Sequence, residues 1–208
     1  MDISQFLTDT YQYFANNQIE FWAFIFGLVC VFLNTKENIW AWPVGIIGVA
    51  LSIYVFWVAK LYGDFGLHII YVILGFYGWY NWLYGGASQT QLPISYSSTK
   101  ELSWLLAGVG IGGSVALGWV FQKYTDNQFP YGDAITTVFS LVAQWQLTQK
   151  RLENWLVWIF VDVIATYIYY QKGLYLFMAQ YFIFLILATM GYFQWKKIYR
   201  LQLQEANG

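Results

Sequence analysis

Long apolar runs, each close to the length that crosses a bilayer, recur along this chain and are separated by short polar turns. Such runs leave few folds open, because in lipid every backbone N–H and C=O must be satisfied within the protein, and an α-helix does this segment by segment. Charged residues make up only 10% of the chain, against roughly 25% in soluble domains. So few charges cannot solvate a globular surface of this size. The chain is therefore predicted to be an all-α membrane protein.

Seven segments are predicted to span the membrane, since a spanning helix needs about 20 apolar residues. The predicted spans are roughly Ile19–Leu33, Ile39–Val58, Phe65–Tyr84, Leu102–Val120, Tyr131–Leu147, Trp155–Tyr170 and Leu174–Trp195. Residues 2–16 have apolar positions near helical spacing and are predicted to form a short helix in the interface. Residues 60–64 are predicted to be a polar turn, and residues 85–100 a polar linker. No basic region starts the chain, so no cleavable signal peptide is predicted.

Lysine and arginine are distributed unevenly between the predicted loops. With the C-terminus inside, seven of the ten lie on the inner side: Lys36, Lys100, Lys150, Arg151, Lys196, Lys197 and Arg200. Three lie on the outer side: Lys60, Lys123 and Lys172. Because short loops rich in Lys and Arg stay in the cytoplasm, the N-terminus is predicted to lie outside and the C-terminus inside.

Similar short patterns occur in the same order in the first and last thirds of the chain. The matching segments are Leu33–Lys36 with Leu147–Lys150, Glu37–Asn38 with Glu153–Asn154, Lys60–Tyr62 with Lys172–Tyr175, and Gly78–Trp82 with Gly191–Trp195. Aligning the asparagines places Trp42 opposite Trp158. Spans one to three then repeat as spans five to seven, and the fourth span gives both halves the same orientation. The alternative is chance similarity among aromatic-rich helices.

The repeat predicts a 3+1+3 arrangement with parallel repeats. The predicted organisation is an interfacial segment at 1–18, a first three-helix repeat at 19–84, a linker with the fourth span at 85–130, a second three-helix repeat at 131–195 and a basic cytoplasmic tail at 196–208. Glycines in the fourth span allow close helix packing in lipid. Paired three-helix bundles of this kind are a transporter plan, with the substrate near the membrane midplane.

An acid near the centre of the sixth predicted span is the clearest candidate for a binding site. Residues Asn154, Trp158, Asp162 and Thr166 are spaced four apart and share one helix face. Ionisable groups inside a bilayer are costly and usually face the bundle interior. The face is predicted to bind a ligand, and the alternative is an acid hydrogen-bonded to a neighbouring helix.

A second polar stripe runs along the fifth predicted span. Its members are Asp133, Thr137, Ser140 and Gln144. Serine and threonine can bond to their own helix, whereas Gln144 does so less easily, and its amide suits a ligand amide or hydroxyl. Asn81 and Gln194 occupy corresponding places in the repeat, each one residue before a terminal tryptophan. They are candidate ligand residues or, alternatively, interfacial residues.

Aromatic residues make up 23% of the chain and include 12 tryptophans, which suggests roles beyond packing. Six lie near predicted span ends and are expected in the interfacial belt: Trp40, Trp57, Trp82, Trp104, Trp155 and Trp195. Trp42 and Trp158 lie deeper. A planar ring stacks on tryptophan and a cationic ring gains further attraction. Tryptophan beside an acid and amides suits a positively charged heteroaromatic ligand that carries hydroxyls.

Other classes of function have little support in this sequence. His68 and Cys30 are the single histidine and cysteine, so no metal site or internal disulfide is predicted. A net charge of −1 gives no basis for nucleic-acid binding. No catalytic triad or phosphate-binding loop is present, and no cofactor is predicted. An intramembrane enzyme or sensor using Asp133 and Asp162 as a pair is the rival, weakened because they lie at different predicted depths.

Several motifs together resemble the PnuC family of bacterial nicotinamide riboside transporters. They are residues 42–48 (WPVGIIG), 60–64 (KLYGD), 77–82 (YGWYNW) and 153–162, which run from Glu153–Asn154–Trp155 through Trp158 to Asp162. In the family the sixth span carries a tryptophan followed four residues later by Asn or Asp, which corresponds to Trp158 and Asp162. The resemblance covers most of the chain outside the N-terminal segment and the linker.

The resemblance implies a SWEET-like fold, a homotrimer and a place in a bacterial inner membrane. It also implies facilitated diffusion of nicotinamide riboside, a vitamin B3 form used in NAD biosynthesis, with phosphorylation by a cytoplasmic kinase as the metabolic trap. Relatives carry thiamine or riboflavin, so another vitamin is the alternative substrate. The predicted binding residues are Trp158, Asp162, Gln144, Ser140, Thr137, Trp42, Asn81, Thr166 and Gln194.

Overall fold

Eight helices make up the part of the chain that the computed structural model describes, residues 3–58 and 62–207. They are α1 (Ile3–Asn16), α2 (Gln18–Thr35), α3 (Ala41–Val58), α4 (Tyr62–Tyr84), α5 (Thr99–Tyr124), α6 (Pro130–Thr148), α7 (Asn154–Gln171) and α8 (Tyr175–Asn207). The all-α prediction is confirmed. Of the predicted polar turn at 60–64, Lys60 and Leu61 lie outside the described residues, whereas α4 already begins at Tyr62.

Four of these helices are long and apolar enough to cross a membrane, in windows of mean hydropathy between 1.6 and 1.9. They are α2, α3, α5 and the Tyr175–Glu205 part of α8. Within the described residues, the other long helices, α4, α6 and α7, do not reach this hydropathy, and both α6 and α7 contain polar residues in the middle of the helix. In α6 and α7 many of these polar groups are buried, as expected of helices that face protein more than lipid.

The helices extend beyond the predicted spans. Helix α2 ends at Thr35, whereas the predicted span ended at Leu33, and α8 continues through the predicted basic tail to Asn207. The difference arises because hydropathy marks only the apolar part of a helix. Polar residues in the last turns keep the backbone hydrogen bonds of the helix without adding to the apolar run.

Helix α5 is irregular, because it contains a π-helical stretch at Trp104–Gly112 between two α-helical parts. Its glycines allow close packing on α6. A methyl group at Gly110, Gly113 or Gly118 would lie within 3.1 Å of a side chain of α6. This confirms the predicted role of small residues in the fourth span.

Six helices form a closed ring in which each contacts the next: α2, α3, α4, α6, α7, α8 and back to α2. Helix α5 packs on α6 outside this ring, and α1 touches α2. The ring therefore consists of α2–α4 and α6–α8, joined at two seams, α4 with α6 and α8 with α2. At each seam the last helix of one set meets the first helix of the other, as expected of two sets related by an approximate two-fold axis.

Candidate functional site

The two seams are held by equivalent hydrogen bonds at the end of the ring next to the linker. Trp82 donates from its indole nitrogen to the Leu147 carbonyl over 2.9 Å, and Trp195 donates to the Asn34 carbonyl over 2.8 Å. Both acceptors lie in the last turn of a helix, where carbonyls have no partner within the helix, and each also accepts from the backbone N–H three residues further on, in the following turn. The last helix of each set thus caps the first helix of the other.

The residues before these tryptophans repeat the arrangement. Asn81 donates from Nδ2 to the Thr148 carbonyl over 2.9 Å. With its amide oriented to satisfy both atoms, Gln194 donates to the Thr35 carbonyl over 2.7 Å and accepts from Lys36 Nζ over 3.3 Å. Both side chains are therefore engaged by helix ends, which fits neither an interfacial role nor free polar groups for a ligand.

A layer of four tryptophans lies inside the braced end of the ring. Rings of Trp42 and Trp82 meet edge to face at 5.3 Å, Trp82 and Trp195 meet at 5.7 Å, and Trp195 and Trp155 meet edge to face at 5.5 Å. Each of the four is at most 4% exposed. The prediction that Trp82, Trp155 and Trp195 belong to the lipid interface was wrong. Proximity to a span end does not tell which way a helix faces.

The predicted alignment of the repeat was also wrong by three residues. Gly78 packs against the ring of Trp42, and Gly191 packs in the same way against the ring of Trp155. Trp42 therefore corresponds to Trp155 and not to Trp158. Asn38 and Asn154 are not equivalent positions, because Asn38 lies in the turn before α3 whereas Asn154 is the first residue of α7.

Glu37 and Lys150 form an ion pair of 2.6 Å beside the tryptophan layer. Lys150 Nζ also lies 4.6 Å from the centre of the Trp82 ring. Each residue stands two positions beyond the end of its helix, Thr35 for α2 and Thr148 for α6. Sequence reasoning missed both, although each lay in a segment that had been matched in the repeat.

The linker is ordered against the same end of the ring. Ser95 donates its backbone N–H to the Lys150 carbonyl and accepts from Leu152 N–H, over 3.1 and 2.9 Å. Ile94 is buried in the core cluster that contains the tryptophans. Arg151 donates to Ser95 Oγ and pairs with Glu101 at 3.1 Å. The segment is therefore a strap across the connection between α6 and α7.

Asp162 lies in the middle of α7 and is 2% exposed. Within the described residues its carboxylate has no hydrogen bond or ion pair, and its backbone carbonyl accepts from Thr166 Oγ1 over 2.6 Å. The threonine therefore bonds to its own helix. A buried carboxylate without a partner is costly, so the geometry favours the ligand interpretation over the alternative of an acid bonded to a neighbouring helix.

Trp158 lies one turn before Asp162 on the same face of α7. It is partly buried and packs against both core clusters, one containing the tryptophan layer and the other Val142, Ala143 and Val157. Unlike Trp42, which is 4% exposed and fixed against Gly78, Trp158 retains accessible ring surface. It is the tryptophan best placed to stack on a ligand beside Asp162.

The stripe on α6 has two different parts. At one end Asp133 pairs with Lys172 at 2.8 Å and accepts from Asn127 over 2.7 Å. The other members, Thr137, Ser140 and Gln144, have no side-chain hydrogen bond within the described residues. Because α6 packs on α7, these three groups and Asp162 are candidates for a shared ligand site. Gln146, also on α6, is fully buried, and neither of its amide atoms has a hydrogen-bond partner within the described residues. Sequence reasoning missed this residue.

A closed ring of helices, some of them long and apolar enough to cross a membrane, with unpartnered polar groups inside it is typical of a solute transporter. The profile of the family described as "Nicotinamide mononucleotide transporter" matches residues 17–197. The chain belongs to this family. It is therefore a multi-pass membrane protein and a transporter, not an enzyme.

Individual relatives agree with this assignment. The chain is 29% identical over 195 residues to the nicotinamide riboside transporter PnuC of Escherichia coli (strain K12), covering 82% of both chains. It is 28% identical to PnuC of Neisseria mucosa, covering 85% of this chain and 71% of that one. It is 25% identical to the riboflavin/roseoflavin transporter RibM of Streptomyces davaonensis, covering 72% and 70%. The crystal structure of the vitamin B3 transporter PnuC superposes with a TM-score of 0.70, at 25% identity, covering 94% of this chain and 89% of that chain.

Proposed function

We propose that this protein transports nicotinamide riboside across a bacterial inner membrane by facilitated diffusion. The observation that carries the proposal is Asp162, a buried acid without a partner among the described residues, one turn from the accessible ring of Trp158. A cationic pyridinium ring gains from stacking on tryptophan. Ribose hydroxyls suit the carboxylate, and a carboxamide suits Gln144. Relatives named as nicotinamide riboside transporters support the same substrate.

The family description names the mononucleotide, which differs from the riboside by a phosphate. A phosphate group would bring two negative charges next to Asp162 and would need cations in the ring. Lys150 and Lys172, at the two ends of the ring, are already paired with Glu37 and Asp133. The charge distribution therefore favours the riboside over the mononucleotide.

Riboflavin is the second candidate, because RibM is among the relatives, and thiamine is a further cationic aromatic vitamin. Binding titrations on purified protein distinguish these substrates. We expect nicotinamide riboside to bind, and the mononucleotide, riboflavin and thiamine to compete weakly or not at all. Tight binding of riboflavin without binding of the riboside would overturn the proposal.

The proposed cycle needs no driving ion. Phosphorylation by a cytoplasmic kinase would trap the riboside after it enters, and Trp158, Asp162, Gln144, Ser140 and Thr137 would form the binding site. Seven helices, α2–α8, would cross the membrane in the SWEET-like 3+1+3 arrangement, as a homotrimer with the linker end in the cytoplasm. Helices α4, α6 and α7 would cross with the others, because polar groups that face the inside of the ring are shielded from lipid.

Vesicles that contain only this protein should equilibrate labelled nicotinamide riboside without concentrating it. The reason is that the described residues hold no second unpaired acid near Asp162 with which to couple an ion. Uptake should be the same with and without a sodium or proton gradient. Accumulation of unmodified riboside above its outside concentration under either gradient would contradict uniport.

Cysteines at the two ends of the ring should report the proposed orientation. Gln91 in the linker and Gln128 in the loop before α6 are both exposed. In a Cys30→Ala background, Gln128→Cys should react with an impermeant maleimide added to intact cells, and Gln91→Cys should react only after the cells are opened. The reverse pattern would show the opposite orientation.

A further inference from the structure

The ion pair of Glu37 and Lys150 occupies a special place in the molecule. The two residues are equivalent in the repeat, since each follows the end of the first helix of its set by two positions. Equivalent positions that touch each other must lie on the two-fold axis. Trp82 and Trp195, which are also equivalent, touch in the same way. The axis thus passes through the tryptophan layer and the ion pair at the linker end.

Both residues have a backbone conformation that favours glycine, which indicates that their side chains have a role. Glu37 has φ 55° and Lys150 has φ 47°, a left-handed conformation that costs a residue with a Cβ of order 1 kcal/mol or more. Glycine adopts it without this cost. Both positions nevertheless hold long charged side chains, and the side chain of Lys150 is only 4% exposed.

We propose that the Glu37–Lys150 ion pair is the latch of a gate that the four tryptophans form at the linker end of the transport path. The inference rests on the proposed transport function. For a solute to leave at this end, α2–α4 and α6–α8 must separate there. The ion pair joins the two sets directly on the axis, and Lys150 Nζ also holds the Trp82 ring. Separation of the sets breaks this pair together with the indole bonds to Leu147 and Asn34.

Hydrogen exchange of the purified, substrate-free protein tests the latch. In Lys150→Met and in Glu37→Gln, amides of residues 33–38 and 146–153 should exchange about tenfold faster or more, because one charge of a buried pair is left without its partner. Lys150→Gly should also exchange faster, although it relieves the left-handed backbone. Slower or unchanged exchange in Lys150→Gly would show that the residue serves only the turn.

A charge swap provides the decisive comparison. By symmetry, an ammonium introduced at position 37 would lie over Trp195 as Lys150 lies over Trp82. The double variant Glu37→Lys/Lys150→Glu should therefore restore slow exchange. Asp133→Asn is the matched control, since it removes an ion pair of 2.8 Å at the opposite end and should leave exchange at the linker end unchanged.

The outcomes separate the latch from the transport function. Faster exchange in the single variants with restoration in the swap supports the latch, whereas unchanged exchange in both Lys150→Met and Glu37→Gln overturns it. Failure of the swap to restore slow exchange also overturns it. If the wild-type protein does not bind nicotinamide riboside, the proposed function fails instead, because the exchange measurement uses no substrate.

Discussion

Replacing Trp158 with alanine should weaken the binding of nicotinamide riboside about 5- to 150-fold, which corresponds to about 1–3 kcal/mol of lost ring stacking with a cation–π contribution. The tryptophan is the partly buried one on the face of α7 that carries Asp162. Isothermal titration of detergent-purified protein measures the change. Trp158 also packs on the core, so the variant must first be shown to be monodisperse.

Ile159→Ala is the matched control, because Ile159 is the next residue of α7 and packs against the same core cluster. It should lower the thermal stability while leaving the dissociation constant within about twofold of the wild type, a change of about 0.4 kcal/mol. If Ile159→Ala weakens binding as much as Trp158→Ala, the effect belongs to packing and not to stacking.

Asp162 adds a second, separable effect at the same site. Asp162→Ala should weaken binding by about 1.5–3 kcal/mol, because it removes a charged hydrogen-bond acceptor. Asp162→Asn keeps one acceptor and the shape but removes the charge. We expect the asparagine to retain much of the affinity, since the family resemblance implies Asn as well as Asp at this position, which points to acceptance from ribose hydroxyls. The site assignment fails if both Trp158→Ala and Asp162→Ala bind the riboside with unchanged affinity.

The helices were predictable from the sequence because apolar runs and their polar breaks are local properties. Each predicted span has a helix, and the buried acid at Asp162 was found from its apolar neighbours alone. The structure also bears out the close packing of the fourth span through Gly110, Gly113 and Gly118. These inferences needed only the cost of polar groups in lipid and the space that a missing side chain leaves.

Contacts between distant helices were not predictable in the same way. Asn81 and Gln194 donate to carbonyls that lie 67 and 159 residues away along the chain. The local sequence does not distinguish an amide that caps a helix from one that binds a ligand. Trp82 and Trp195 were wrongly predicted to lie at the lipid interface, because their partners, the carbonyls of Leu147 and Asn34, are also on distant helices. The repeat carried the missing information, but an alignment wrong by three residues concealed the match of Trp42 with Trp155.

Gly78→Ala should lower the melting temperature of the protein by several degrees. The added methyl carbon would lie 2.2 Å from Cη2 of Trp42 and 2.6 Å from two further ring atoms. That ring cannot move away, since it is buried and meets Trp82 edge to face. Overpacking of this kind costs about 1–3 kcal/mol, equivalent to roughly 2–12 °C in a chain of this length.

Gly66 offers a matched control within the same helix, because a methyl carbon there would meet no atom of the described residues within 4 Å. Alanine is the better helix former by about 1 kcal/mol, so Gly66→Ala should leave the melting temperature unchanged or raise it. Gly191→Ala should resemble Gly78→Ala, since its methyl carbon would lie 2.7 Å from the Trp155 ring. In a Trp42→Phe background, which removes the outer ring atoms, Gly78→Ala should cost much less. If Gly78→Ala lowers the melting temperature equally in both backgrounds, the destabilisation does not come from the contact with the Trp42 ring.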